Sequence, residues 1–160
     1  MPIILRQIQE KDNVPLAELI RSVFREFRID KPETVYDDPT TDALFELFQT
    51  EKSVYWVAEE NSKLLGGCGI YPTNGLPEGC VELVKFYIAP DSRGEGVGQL
   101  LLQLNINTAK GFNYSQLYLE SFPELARVVG MYSGLGFKQQ DQPLGNSGHY
   151  ACTIWMVKEL

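Results

Sequence analysis

The sequence predicts an α/β (α+β) fold, a mixed sheet of about six to seven strands with helices on both faces. Three observations carry this. Seven short runs rich in β-branched and aromatic residues alternate with apolar stripes at helical spacing. Gly, Pro and Asn-Ser clusters punctuate the boundaries between them. The middle strands follow one another through a tight turn, whereas later ones are separated by helices, so antiparallel and parallel pairings must coexist.

Ile3 to Ile8 is the first strand. Leu16, Leu19, Ile20, Val23, Phe24 and Phe27 then form the stripe of an amphipathic helix, with Asp12 or Asn13 as its cap and Pro15 in its first turn. Ile29 to Thr41, with Pro32 and Pro39, is a loop, and a short helix follows with Leu44, Leu47 and Phe48 inward. Val54 to Ala58 and Leu64 to Tyr71 form a hairpin around Asn61-Ser62. After a loop to Gly79, Val81 to Ile88 is a strand by its β-branched and aromatic content. Alternation on it places Glu82, Val84, Phe86 and Ile88 on one face. A glycine-rich turn, Ala89 to Gly98, leads into a helix with Val97, Leu100, Leu101 and Leu104 on one side, ending near Lys110-Gly111. Gln116 to Leu119 is the next strand. Pro123 opens a helix carrying Leu125, Val128, Val129 and Tyr132, closed by Gly134 and Gly136. Phe137 begins a strand and Thr153 to Val157 is the last.

A chain of 160 residues, 44% apolar and 22% charged, has the size and composition of one globular domain over 1–160. No apolar run reaches the roughly 20 residues that span a bilayer, and Met1 to Glu10 lacks the pattern of a secretory leader. The expected location is cytoplasmic. A net charge of −7 argues against a nucleic-acid or membrane partner and mildly favours a cationic one. Cys68, Cys80 and Cys152 are odd in number and fit no zinc spacing, so reduced thiols and no metal are expected. Monomer and homodimer both remain open.

The most informative segment is the strand that ends at Pro90, the loop Arg93-Gly94-Glu95-Gly96-Val97-Gly98, and the helix that begins at once. The first amides of a helix have no internal partners and point out of its positive end. Glycines let a ligand approach them, which makes an anion site suited to phosphate, and Arg93 can add a charge-assisted bond. A dinucleotide loop would need glycine where Gln99 stands, and a Walker loop would need Lys-Ser/Thr where Gln99-Leu100 stands.

Arg93-x-x-Gly96-x-Gly98 resembles the [Q/R]-x-x-G-x-[G/A] motif of GNAT-superfamily N-acetyltransferases. Tyr87-Ile88-Ala89-Pro90 is similar to the strand that enters that motif, and Met131-Tyr132-Ser133-Gly134-Leu135-Gly136-Phe137 resembles the family's L-Y-x-x-x-G-F segment. The tail Pro143 to His149 looks like a subgroup of such enzymes whose substrate is unassigned. The resemblance implies a mostly antiparallel sheet that splays between its fourth and fifth strands, with acetyl-CoA in the gap. The backbone of Phe86, Tyr87 and Ile88 would pair with the pantetheine arm. The amides of Gly94, Glu95, Gly96, Val97 and Gly98, with Arg93, would hold the pyrophosphate, and Tyr132 would sit near the thioester sulfur. Where many members carry an Asn one turn ahead of that Tyr, this chain has Pro123-Glu124-Leu125-Ala126.

Acetyl transfer to an amine needs a base for the ammonium, stabilisation of the oxyanion and a proton for the departing thiolate. Tyr132 is the candidate acid. Glu82, a carboxylate among apolar neighbours on a central strand, is the candidate base, since burial raises a carboxyl pKa toward neutrality. Glu120, at the end of the next strand, competes for that role. The only histidine, His149, lies in a Gly-rich loop and is a further candidate, either as a base or as a turn or substrate contact. Asp37 and Asp38 lie in a loop that often faces the acceptor in this family. Cys152 near His149 is the weaker thiol alternative. The expected partner is a small-molecule or peptide amine, and the alternative function is a non-catalytic acyl-CoA sensor.

Overall fold

The computed structural model describes residues 2–160. Its strands are β1 (Ile4–Gln7), β2 (Val54–Glu60), β3 (Lys63–Tyr71), β4 (Cys80–Ile88), β5 (Gln116–Ser121), β6 (Lys138–Gln140) and β7 (Ile154–Glu159). Its helices are α1 (Asn13–Glu26), α2 (Leu44–Leu47), α3 (Val97–Gly111) and α4 (Ala126–Gly134). This is the element order expected from the sequence. One seven-stranded sheet runs β1-β2-β3-β4-β5-β7-β6. Only β4 and β5 are parallel; the other pairs are antiparallel. The β2–β3 hairpin closes through Asn61 and Ser62, both at positive φ, the turn whose twist matches that of its strands.

Two apolar cores flank the sheet. On one face α3 and α4 cover Val81, Leu83, Leu117 and Leu119 with Leu101, Leu102, Ile106 and Tyr132. On the other, α1 and α2 bring Leu16, Ile20, Phe24 and Leu44 onto Tyr55 and Val57. Two local expectations change. Asp12 precedes α1 but does not cap it with its side chain, because its carboxylate is taken by Arg6 and the Gln9 amide. Pro123 opens a single tight turn, and regular α4 starts only at Ala126.

The larger correction concerns β4. Glu82 and Val84 do not share a face with Phe86 and Ile88. Val84 opposes Gly69 and Tyr87 opposes Gly67, so Lys85 and Phe86 stand against the single residue Cys68. This is a β-bulge, and it reverses the side-chain parity of the strand. Before it, Val84 faces the α1 core; beyond it Tyr87 faces that same core, while Phe86 and Ile88 face the α3 core. Lys85 takes φ 53°, a conformation that costs a non-glycine residue on the order of 1–3 kcal/mol.

Tyr55 holds the bulge. Its hydroxyl donates to the Lys85 carbonyl at 2.8 Å. The ring reaches there by crossing glycines of β3: a Cβ at Gly67 would stand 2.5 Å from the ring, and one at Gly69 would stand 2.7 Å from it. Tyr55→Phe leaves that buried carbonyl without its donor and is expected to cost about 1–3 kcal/mol. A thermal melt checks it.

The parallel pairing of β4 with β5 is brief. It covers Cys80–Gln116, Val81–Leu117 and Glu82–Tyr118. Both strands continue, β4 to Ile88 and β5 to Ser121, without pairing further. Glu82 is therefore the last residue before the sheet forks.

Candidate active site

The fork opens into a cleft of about 630 Å³, within the usual range for small-molecule sites. One wall is β4 from Glu82 to Ile88, whose edge toward β5 carries no ladder bonds beyond Glu82. The loop into α3, the end of β5, and Met131 and Tyr132 of α4 complete it. Phe86, Tyr87, Ile88, Arg93, Gly94, Gly96, Gly98 and Tyr132 all line it.

The loop owes its shape to backbone handedness. Gly94 and Gly96 have φ of +81° and +84°, and an added Cβ at either would meet nothing within 4 Å. Their requirement is conformational, not spatial. Gly98 is the reverse case: a Cβ there would lie 3.1 Å from the Phe86 ring and 3.3 Å from the Met131 methyl. Glu95 is exposed and Val97 is buried in the core, so both can offer only backbone amides to the cleft. Gly96→Ala forces a side chain into the left-handed region at about 1–2 kcal/mol. The midpoint of the variant's thermal melt is expected to fall by the corresponding amount.

Arg93 is committed to the protein. Its guanidinium donates to both carboxylate oxygens of Glu26, at 2.7 and 2.9 Å, and to the Ile88 carbonyl at 3.2 Å. It also lies 5.4 Å over the Phe27 ring. The residue ties the loop to α1, and the Arg93 guanidinium holds the Glu26 carboxyl below its ordinary pKa.

Tyr132 is buried between Phe86 and Phe137, with ring centroids 6.2 and 5.7 Å away. Burial pushes its phenol well above the ordinary value, so it carries its proton at any working pH. Gly130, one turn before the end of α4, has open space where a Cβ would stand.

Five acidic or basic groups meet at the fork. Glu82 is 4% exposed and accepts a hydrogen bond from Thr73 Oγ1. Burial, then the nearby Glu120 charge, pushes its carboxyl up to about 8. Glu120 lies one strand away and accepts from the Tyr118 hydroxyl at 2.7 Å and from Ser147 Oγ. Asp38 Oδ2 stands 3.0 Å from His149 Nε2 and Asp38 also accepts from Thr40. The His149 bond holds its carboxyl well below the usual range. Lys85 is the fifth group, 8% exposed, its ammonium pushed down by burial. Glu82, Glu120 and His149 are thus brought together, with Asp38 behind His149. Asp37 is not among them: it is exposed and accepts from the Glu33 and Thr34 amides of its own turn. Cys152 lines the cleft, but burial raises its thiol to about 12, so no thiolate nucleophile forms near neutrality.

Thr73, Ser147 and Lys85 escaped sequence reasoning. The first two are polar loop residues whose approach to the carboxylates depends on tertiary structure. Lys85 did leave a trace, as the only cation in an otherwise strand-like apolar run.

Comparison with known proteins agrees with this geometry. The chain is 33% identical over 159 residues to the uncharacterized N-acetyltransferase YjgM of Escherichia coli (strain K12), covering 98% of this chain and 95% of that one. The fold is similar to the crystal structure of an acetyltransferase of the GNAT family from Staphylococcus aureus MU50, with TM-score 0.88, 21% identity and 99% of both chains covered. It is also similar to PaiA N-acetyltransferase from Thermoplasma acidophilum in complex with coenzyme A, with TM-score 0.74, 19% identity and 100% of both chains covered. The acetyltransferase (GNAT) family matches residues 17–137, which hold the fork, the glycine loop and Tyr132. With a sheet split at its one parallel pair and a glycine loop at the mouth of the split, the chain is an acyltransferase that belongs to the acetyltransferase (GNAT) family.

Proposed function

We propose that the protein transfers the acetyl group of acetyl-CoA directly to the primary amine of a small molecule or peptide. The observation that carries this is the meeting, in one cleft, of an open strand edge, a glycine loop at a helix N-terminus, a buried phenol and a buried carboxylate of raised pKa. These parts fit an acyl-CoA. The free β4 edge from Leu83 to Ile88 can pair with an extended amide-bearing arm. The amides of Gly94 to Gly98 and the positive end of α3 suit a pyrophosphate. The bound thioester supplies an activated acyl group.

The residues do the rest. Glu82, as carboxylate, takes a proton from the acceptor ammonium and frees its lone pair. The amine nitrogen bonds to the carbonyl carbon, the carbon–sulfur bond breaks, and Tyr132 gives its proton to the departing sulfur. The nitrogen's second proton, relayed by water, restores the Tyr132 phenol, and Glu82 releases its proton to solvent, so ammonium and thioester become amide, thiol and one free proton. Glu120 accepts from Tyr118 and Ser147, and its charge beside Glu82 raises the Glu82 carboxyl and sustains its basicity. We read the described residues as one catalytic domain, since both cores share one sheet. The deciding experiment incubates the protein with acetyl-CoA and a panel of amines, amino acids and short peptides and follows free thiol. Acceptor-dependent release is expected; absence of release with every acceptor would overturn the reading.

A further inference from the structure

Behind the fork lies a second, smaller chamber of about 210 Å³, walled by Thr73 and Asn74 on one side and Asn146 and Ser147 on the other. Its walls are tied together, since the Asn146 amide donates to the Asn74 carbonyl at 2.9 Å. The chamber and the main cleft share Glu82, Val84, Lys85 and His149. A molecule whose amine sits at Glu82 has room to extend its remainder past Lys85.

The charged groups facing this space are unequal. Glu82, Glu120 and Asp38 each accept hydrogen bonds from protein donors. Lys85 has no such match. It interacts with Asp38 and Glu82 only through space, not through a hydrogen bond, though the residue is over nine-tenths buried. Its Nζ is not sealed, since Asn105 Oδ1 is the one fully enclosed side-chain atom without a partner among the described residues, but a cation stripped of much of its water and given no bonded partner is still costly. The protein meets this cost on a residue that also carries the strained backbone of the bulge. A solvent-facing lysine would need neither. The arrangement makes sense if the missing partner arrives with the substrate.

We propose that Lys85 is an anchor for a carboxylate on the acceptor, and that the acceptor is a small amino acid with its amine at Glu82 and its carboxylate at Lys85. This rests on the transferase reading and names its substrate class. An amine and a carboxylate on one small molecule match Glu82 and Lys85, which lie three positions apart on β4 and share both spaces. The negative field of Asp38 and Glu120 attracts the ammonium end, and the desolvated Lys85 selects the other end. A bound carboxylate also supplies the counter-charge that restores the Lys85 ammonium against burial.

The test uses pairs of acceptors that differ in one group: free amino acids and their carboxamides, with simple alkylamines and a polyamine alongside. With wild-type protein, kcat/KM for the preferred acid is expected to exceed that for its amide by about a hundredfold, as for loss of one buried charged partner. In Lys85→Met the preference should collapse, mainly through KM for the acid, with the amide's kcat/KM changed only a few-fold. Equal turnover of acid and amide, or preference for the polyamine, overturns the anchor and leaves the transferase standing. Equal loss of both activities in Lys85→Met also overturns it, assigning the residue to the bulge alone. Calorimetry on the CoA-loaded protein decides the matter without turnover. N-acetyl amino acids should bind at least about tenfold more tightly than N-acetyl amino acid amides; equal affinity, or binding of neither, overturns the anchor.

Discussion

Replacing Tyr132 with Phe is expected to lower kcat by about two to three orders of magnitude, the usual worth of a positioned acid, while coenzyme A affinity changes less than about threefold. The two effects separate because the ring and the hydroxyl do different work. The ring fills the space between Phe86 and Phe137, and Phe preserves that packing. The hydroxyl alone can give a proton to sulfur, and burial guarantees that it has one to give. The check is steady-state kinetics with calorimetry on the same preparation. A variant that keeps full turnover would remove Tyr132 from the chemistry. A variant that loses coenzyme A binding in parallel would make it a packing residue.

The second large effect belongs to Glu82. A carboxyl held up to about 8 is a base only above that pH, so kcat/KM should rise with pH and level off past it. Glu82→Gln should erase that limb and cost about a hundredfold at the plateau. If Glu120→Gln erases the limb and Glu82→Gln does not, Glu120 is the base. The same residue makes a prediction about stability whose sign is opposite. Between the ordinary carboxylate range and about pH 8, the unfolded chain ionises Glu82 and the folded protein does not. The folded state then binds more protons, so stability falls as pH rises through this window and levels off above it. Glu82→Gln removes the loss. At pH 9 it should be more stable than wild type by on the order of 4 kcal/mol, readable by denaturant titration. A variant that is less active and more stable has lost a group placed for chemistry at a cost to folding.

How much of this was legible in the sequence depends on where the determining contacts lie. Element order was legible because its punctuation is local: Asn61-Ser62 makes a hairpin turn without help, and Gly94 and Gly96 announce a backbone that other residues resist. The site was legible as far as the loop, the strand edge and Tyr132. What failed was the parity of β4. Strict alternation from Val81 to Ile88 holds only for a regular strand, and the bulge at Lys85 reverses it. No local preference puts a lysine at positive φ. The cause lies on two other strands, in Tyr55 of β2 and the glycines of β3 that clear its way. The run Gly66-Gly67-Cys68-Gly69 was the available signal, since glycines inside a strand mark a close approach. Asp38, Glu120 and His149 were legible as candidates for one site, but not their contacts with each other and with Ser147. These residues come from three separate stretches, and only sheet topology makes them neighbours.

The fork has a mechanical consequence. The β1–β4 meander and the β5–β7 group are two leaves of one sheet, joined across their seam by three residue pairs. Whatever wedges into the seam stitches the leaves. Ligand occupancy therefore adds to folding free energy as RT ln(1 + [L]/Kd), about 2.7 kcal/mol at a hundred times Kd. On the transferase reading, the acyl donor that feeds the reaction would also splint the protein that performs it.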